Sequence, residues 1–256
     1  MCDEDSYTFY FFSIQIQPDD MSCFTEDLSI MESLSLALQP YRESIGQIAS
    51  IVTIAQFFAG TLVCKEIYEK KSTKGVNPTP FIGGIAIGIL TLKLAFIMND
   101  AAMFQVNVAA IILNTCYTLF YYNYAGDKYE EVLKPVGMAG GLTAVFLGYA
   151  NWEDPSNVEF RYGLLLTMLM LLLLAAPLAE LKTILDNEDA SSIPFPLTFM
   201  ATCVTFLWLL YGLAINNLFM VVQNVAGFLI CALQLWLIYT YPGHRSDIKP
   251  KKKKQQ

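Results

Sequence analysis

The triplet Asn107-Val108-Ala109 recurs as Asn224-Val225-Ala226, 117 residues further along the chain. The same spacing pairs further residues with identical ones: Leu90, Leu92, Asn99, Met103 and Tyr122 with Leu207, Leu209, Asn216, Met220 and Tyr239. Upstream, after a one-residue gap, Leu62, Pro78 and Pro80 pair with Leu178, Pro194 and Pro196. Each triplet puts an asparagine into a membrane-length apolar segment. A duplicated membrane unit with one polar side chain per copy is typical of transporters, whose substrate site lies between two repeats.

The composition independently favours a membrane protein. Apolar residues make up 55% of the 256 residues and charged residues 15%, and the mean hydropathy is +0.44. These values are too hydrophobic for an ordinary soluble domain of this size, so we expect lipid to be the solvent. The six cysteines show no metal-binding or disulfide spacing, because Cys2 and Cys23 lie near the N-terminus and the other four lie inside apolar segments.

Seven segments approach or meet the roughly 20 residues that a spanning helix needs. We predict spans over residues 45–66, 79–98, 103–124, 135–151, 161–182, 196–215 and 219–241. The fourth is rich in glycine and the shortest, so it is also compatible with a helix packed against protein rather than lipid.

The distribution of lysine and arginine predicts the orientation, since short cytoplasmic loops are enriched in both. With the N-terminus outside, 13 basic residues lie on the cytoplasmic side, including Lys251 to Lys254, and only Arg42 and Arg161 lie outside. Residues 1–44 form an acidic extracellular tail in this interpretation, and residues 242–256 form a basic cytoplasmic tail. No basic region precedes the apolar run of residues 7–16, so we expect no cleavable signal peptide.

The predicted fold is an all-α membrane protein with two parallel three-helix repeats. Residues 45–124 form the first repeat and residues 161–241 the second, and the linker region 125–160 contains the fourth helix. Because three spans and one linker helix precede the second copy, both copies start from the same side of the membrane. Such parallel repeats face each other about an axis along the membrane normal.

Four runs of the second copy carry a family resemblance. They are Ala175-Ala176-Pro177-Leu178-Ala179, Ser192-Ile193-Pro194-Phe195-Pro196-Leu197, Trp208-Leu209-Leu210-Tyr211-Gly212-Leu213 and Gln223-Asn224-Val225-Ala226-Gly227. On these residues the chain resembles the SWEET sugar transporters, of the animal type related to the insect saliva proteins. The resemblance covers about residues 45–242 and is weaker in the first copy. It implies a bidirectional sugar uniporter that moves mono- or disaccharides by alternating access. It also implies a location in the plasma membrane, and a Golgi pool is compatible with it. A homo-oligomer is compatible with the family as well.

Asn107 and Asn224 are the candidate sugar-binding pair. A carboxamide both donates and accepts hydrogen bonds without carrying a charge, so it matches sugar hydroxyls. The alternative is that each asparagine bonds a neighbouring helix. By resemblance, Trp208 flanks the sugar with its flat indole, although a membrane tryptophan is more often interfacial or a filler. Thr91 occupies the matching position of the first copy, so the aromatic surface is expected on one side only.

Pro80, Pro177 and Pro196 match prolines of the family, which the resemblance implies to be hinges. Proline removes a backbone donor and kinks a helix, yet membrane helices also tolerate such kinks without motion. The position of the first span that matches Pro177 is Thr61, so the first copy lacks one of the four prolines that a symmetric hinge would have. Lys93 lies within the second span, where we expect it to extend toward the outer surface, with a role at the pathway entrance as the alternative.

Several classes of function are disfavoured. No span has an acidic residue at its middle, which argues against proton or sodium coupling and for passive diffusion. A seven-helix receptor shares the predicted topology but not the internal repeat, and a PQ-loop transporter of another small solute lacks support because no Pro-Gln dipeptide occurs. An enzyme is least compatible, since the single histidine, His244, follows the last span. The expected partners are a small sugar and the lipid bilayer, with no metal, organic cofactor or nucleic acid implied.

Overall fold

The computed structural model describes residues 31–242, except for the side chains of Ala175 and Ala176. The predicted acidic tail up to residue 30 and the lysine run 251–254 therefore lie outside the described residues. The described chain contains the helices α1 (Arg42–Phe57), α2 (Gly60–Lys70), α3 (Thr79–Ile97), α4 (Ala101–Tyr124), α5 (Lys134–Trp152), α6 (Val158–Leu173), α7 (Ala175–Asn187), α8 (Phe195–Ala214) and α9 (Leu218–Thr240). Residues 31–38 are also helical and lead through a 3₁₀ turn into α1, so the helical region starts inside the segment predicted as a tail.

Seven helical segments of the described chain are long and apolar enough to cross a membrane, which confirms the predicted all-α membrane fold. They are Met31–Lys70, Thr79–Ile97, Ala101–Tyr124, Tyr129–Trp152, Val158–Asn187, Phe195–Ala214 and Leu218–Thr240. The fourth, which the sequence predicts as the shortest, is lengthened by a π-helical turn over Tyr129–Leu133. We call the face at which α1 begins the N-face and the face at which α9 ends the C-face.

The first and fifth spans are each broken into two helices at corresponding places. α1 ends at Phe57 and α2 begins at Gly60, while α6 ends at Leu173 and α7 begins at Ala175. The break in the first span occurs without a proline. There the Phe58 carbonyl accepts from both the backbone N–H and the hydroxyl of Thr61, at 2.9 and 2.6 Å.

The local geometry at the helix ends repeats with the sequence. Among the described residues, the non-glycine positions with positive φ are Lys71, Asn99, Glu188 and Asn216, which form two pairs 117 residues apart. Lys71 and Glu188 end α2 and α7 in the left-handed conformation that closes many helices. The duplication therefore extends from sequence to backbone conformation.

Six of the seven spans close into a ring around a central axis. α1 contacts α4 and α8, α3 contacts α4 and α6, and α9 contacts α6 and α8. Following these contacts, the spans run in the order first, third, second, fifth, seventh and sixth, so the first and fifth spans lie on opposite sides of the axis. The fourth span is outside this ring, where α5 packs on α3 and touches α6.

Large apolar and aromatic side chains cover the outside of the ring. Trp152 and Tyr41 are 83% and 63% exposed near the N-face, and Tyr239 and Tyr129 are 87% and 63% exposed near the C-face. Tryptophan and tyrosine are enriched where a membrane meets water. This arrangement fits a bilayer around the ring, with α5 facing lipid over most of its length rather than being enclosed by protein.

Candidate functional site

The start of α4 and the start of α9 are built in the same way, which fixes the register of both asparagines. The Asp100 carboxylate accepts from the Met103 backbone N–H at 2.8 Å, and the Asn217 amide oxygen accepts from the Met220 backbone N–H at 2.9 Å. These contacts are N-caps, which satisfy backbone donors left free at a helix start. Asn107 and Asn224 are consequently the seventh residues of their helices.

Asn107 and Asn224 make matching contacts. The Asn107 Nδ2 group donates to the Met103 carbonyl at 2.7 Å, and the Asn224 Nδ2 group donates to the Met220 carbonyl at 2.8 Å. Both side chains are half-buried, and the described structure gives neither of them another hydrogen bond. Each amide therefore keeps one N–H donor and its oxygen acceptor for another partner. Both asparagines lie at the same depth, about 9 Å from the N-face ends of helices of 24 and 23 residues, hence roughly halfway between that end and the middle of the helix.

Trp208 joins the second repeat to the first. Its indole Nε1–H donates to the Thr53 hydroxyl at 2.8 Å, and that hydroxyl donates to the Ala49 carbonyl at 2.7 Å. The indole also meets the Tyr211 ring edge-on, with 5.6 Å between the centroids. At the matching position of the first repeat, the Thr91 hydroxyl is buried and has no hydrogen-bond partner among the described residues. The aromatic surface is therefore one-sided, as the sequence indicates.

A second contact joins the repeats closer to the N-face. The Tyr211 hydroxyl donates to Oδ2 of Asp100 at 2.8 Å, so one carboxylate both caps α4 and holds the end of α8. Gly46 of α1 lies directly against this ring, since a Cβ added there would be 2.7 Å from Cε2 of Tyr211. Asp100, Tyr211 and Thr53 were not predicted as site residues from the sequence, because their partners are distant in sequence. Two sequence signals were present, since Asp100 directly precedes an apolar helical segment and Tyr211 lies in the run 208–213 that carries the family resemblance.

In the described part of the chain, the inside of the ring has a cavity toward each face. The N-face cavity, of about 570 Å³, is lined by α1, the start of α4, the end of α8 and Glu159 of the fifth span. The C-face cavity, of about 360 Å³, is lined by Gln56 of the first span, Glu180 of the fifth, the start of α8 and Gln234 of α9. Each cavity touches the first and fifth spans, which lie on opposite sides of the ring, so both cavities lie on its central axis.

The contact between Thr53 and Trp208 separates the two cavities. Along α1 the N-face cavity reaches Ser50 and the C-face cavity begins at Gln56, with Thr53 between them. Along α8 the C-face cavity reaches Ala201 and the N-face cavity begins at Tyr211. Asn107, Asn224 and Trp208 line neither cavity. The axis is thus closed at the level of Trp208 and open toward both faces.

The structure places the prolines at helix starts rather than within helices. Pro80 and Pro196 are the second residues of α3 and α8, where proline is well tolerated because the first N–H groups have no intrahelical partner. Pro177 is the third residue of α7, next to the break in the fifth span. Pro80 and Pro196 therefore lie at the starts of their spans, as the sequence predicts, and the role of the three prolines as hinges stays a prediction.

Lys93 points away from the cavities. Its ammonium group donates to Oδ1 of Asn151 at 2.9 Å, which links α3 to the N-face end of α5. Lys93 lines neither cavity. This contact agrees with a lysine that extends toward the surface, and gives no support to a role at the pathway entrance.

Comparisons with known proteins agree with this architecture. The family described as "Sugar efflux transporter for intercellular exchange" matches residues 43–129 and again residues 160–246. "Sugar transporter SWEET1" of Drosophila pseudoobscura pseudoobscura is 30% identical over 202 residues, which cover 78% of this chain and 89% of the relative. The human protein of the same name is 25% identical over 196 residues, covering 75% and 87% of the two chains. The solved structure of a eukaryotic SWEET transporter superposes with a TM-score of 0.72 at 18% identity, covering 80% of this chain and 99% of that one, and therefore has the same fold.

Proposed function

The chain belongs to the SWEET family of sugar efflux transporters, and on this premise we propose that it carries sugar across a membrane by facilitated, bidirectional transport. The observation that carries the proposal is the ring of six spans with one cavity at each face and a side-chain contact between them. Its family is one of transporters, not enzymes, and its seven spans make it a multi-pass membrane protein.

Alternating access follows from how the two repeats are held together. The contacts Asp100–Tyr211 and Thr53–Trp208 both join the first repeat to α8. A hydrogen bond between neutral groups, such as Thr53–Trp208, contributes about 0.5–1.5 kcal/mol net, and one to a carboxylate, such as Asp100–Tyr211, about 1.5–3 kcal/mol, so thermal motion can break both. Release of both contacts would let α8 move away from α1 and connect the N-face cavity with the level of the asparagines. Pro80, Pro177 and Pro196, all at or next to helix starts, are the proposed hinges for this motion.

The proposed sugar-binding residues are Asn107, Asn224 and Trp208. Their support is the matched depth of the two amides, the donor and acceptor that each amide leaves uncommitted, and the indole that lies between the cavities. Because none of them lines a cavity in this conformation, sugar reaches them only after Trp208 has moved away from Thr53.

Transport is proposed to be passive. The carboxylates of the described spans lie toward the two faces rather than midway between them, as Glu43, Glu159 and Glu180 illustrate. A coupled transporter usually needs an ionisable group within the membrane to bind the driving ion. Net flux would therefore follow the sugar gradient.

The location and orientation are part of the proposal. An N-face directed outside the cell puts the lysine-rich segments on the cytoplasmic side, in agreement with the positive-inside rule. We place the protein in the plasma membrane, with an additional Golgi pool, and allow for a homo-oligomer.

Uptake of radiolabelled glucose tests this function. Cells or liposomes containing the wild-type protein are compared with Asn107→Ala and Asn224→Ala at matched surface expression. We expect saturable uptake that is insensitive to proton and sodium gradients and is lost in both variants. A wild type that moves no sugar in a broad screen would contradict sugar transport. Full activity in both variants would assign the asparagines to helix packing.

A further inference from the structure

The two repeats differ most clearly where they face the C-face. Tyr117 of α4 and Gln234 of α9 are 117 residues apart and follow Asn107 and Asn224 by the same number of residues. Phe81 directly follows Pro80, just as Leu197 directly follows the matching Pro196. At two corresponding positions the first repeat therefore has large aromatic residues, and the second has a carboxamide and a leucine.

In the first repeat the aromatic pair fills the space between the spans. The Tyr117 ring lies 5.4 Å from the Phe81 ring, and its hydroxyl donates to the Phe57 carbonyl at 3.1 Å. The fit is tight, because a Cβ added to Gly60 would be 2.4 Å from Cε2 of Tyr117. Tyr117 and Phe81 are 7% exposed each. This region holds no room for a ligand.

In the second repeat the smaller residues leave the C-face cavity of about 360 Å³. Leu197 and Gln234 both line it, together with Gln56, Glu180 and Thr198. Within the described residues, the side chains of Gln56, Glu180 and Gln234 have no hydrogen-bond partner. Two carboxamides and one carboxylate therefore face a shared space with their donors and acceptors unused.

We propose that the C-face cavity is a second sugar subsite, occupied while sugar passes between the level of Trp208 and the C-face. Carboxamides and carboxylates recognise sugar hydroxyls as donors and acceptors, and the cavity volume lies at the small end of the range for ligand pockets. The subsite is one-sided, because Tyr117 and Phe81 fill the corresponding space of the first repeat. This inference rests on the proposed sugar transport.

Gln234→Leu tests the subsite because it removes the polar group while keeping similar volume. The Michaelis constants for zero-trans sugar efflux and for zero-trans uptake are measured with the full-length protein in cells, at matched surface expression. Sugar leaving the cell meets the C-face first, so we expect the ratio of the efflux constant to the uptake constant to rise about three- to tenfold, the effect of losing one hydrogen bond. Gln56→Leu, which acts on the same cavity from the first repeat, should raise the ratio similarly.

Gln105→Leu is the matched control. Gln105 lines the N-face cavity instead, so this variant should leave the ratio unchanged or lower it. A ratio that stays at the wild-type value in both Gln234→Leu and Gln56→Leu overturns the subsite while leaving sugar transport intact. A wild type without sugar transport overturns the proposed function itself, and the subsite with it. If Gln234→Leu does not reach the cell surface, Gln56→Leu decides.

A filling variant provides an independent test. The double substitution Leu197→Phe with Gln234→Tyr copies the aromatic pair of the first repeat into the second. There the corresponding helices of the second repeat surround the pair. We expect sugar flux in both directions to fall more than tenfold at normal surface expression. Leu233→Tyr adds a ring at a neighbouring residue that is 39% exposed and should leave flux unchanged. Normal flux through the double variant would show that the cavity is not on the sugar's path.

Discussion

Trp208 has a proposed role in sugar binding and an observed contact between helices, and a single substitution to alanine would remove both. Its flat face is the proposed surface for the sugar, and its Nε1–H joins α8 to Thr53 of α1. Thr53 is 6% exposed, so this hydrogen bond lies in the packed interior of the ring. Separating the two roles requires substitutions on both sides of the hydrogen bond.

We expect Trp208→Ala to reduce the ratio of maximal rate to Michaelis constant for sugar uptake more than tenfold. Trp208→Phe should reduce it only about threefold, because it keeps an aromatic face. Thr53→Val should not reduce it, because it removes only the hydrogen bond that has to break before sugar reaches Trp208. Radiolabelled sugar uptake at matched surface expression measures all three. If Thr53→Val were as damaging as Trp208→Ala, Trp208 would act through the bond to α1 and not through its ring face.

At the scale of elements, the close approach of α3 and α4 depends on small residues. Asn114 of α4 is 9% exposed, and its Nδ2 group donates to the Ala110 carbonyl at 2.8 Å. A Cβ added to Gly84 would be 2.7 Å from that nitrogen, whereas one added to the adjacent Gly83 would meet no atom within 4 Å. Small residues that let helices approach closely are common at membrane helix interfaces.

These neighbouring glycines allow a matched pair of substitutions. Gly84→Ala should destabilise the protein by about 1–3 kcal/mol, because the buried amide of Asn114 has to move. Gly83→Ala should be neutral or stabilise by up to about 1 kcal/mol, since alanine favours a helix. Thermal unfolding of the two purified variants in detergent compares them. Equal unfolding temperatures would mean that α3 and α4 are not packed this closely at Gly84.

At the same scale, the first and fifth spans are both broken at corresponding places, although different residues lie at the two breaks. Pro177 lies next to one break, whereas Gly60 and Thr61 lie at the other. At the first break the Tyr117 ring lies against Gly60, and its hydroxyl donates to the Phe57 carbonyl. The break in the first span thus coincides with a close helix contact and not with a proline.

For the whole molecule, the ring leaves the axis closed at Trp208 and open on both sides of it. The N-face cavity is the larger of the two and is lined by the charged residues Arg42, Glu43, Asp100 and Glu159, while Glu180 is the charged residue that lines the C-face cavity. This difference gives the two ends of the proposed pathway distinct chemistry. The direction in which each end faces follows from the membrane topology.

We predict that the N-face is extracellular. An epitope tag at the N-terminus should bind antibody on intact cells, and a tag at the C-terminus should bind only after the cells are permeabilised. The physical reason is the excess of lysine and arginine in segments on the C-face side, which the positive-inside rule assigns to the cytoplasm. Labelling of the C-terminal tag on intact cells would reverse the orientation, and would exchange the assignments of uptake and efflux to the two cavities.

The sequence by itself determined the membrane class, the number of spans, the duplication and the matched depth of Asn107 and Asn224. These features depend on apolar runs, spacing and helix-start residues, which are local properties of the chain. Only the tertiary structure decided which spans are neighbours in the ring, that Thr53 pairs with Trp208 and Asp100 with Tyr211, and that Tyr117 fills a space which Gln234 leaves open. Such contacts join residues up to 155 positions apart. They depend on how the faces of several helices pack together, which spacing along one helix does not specify.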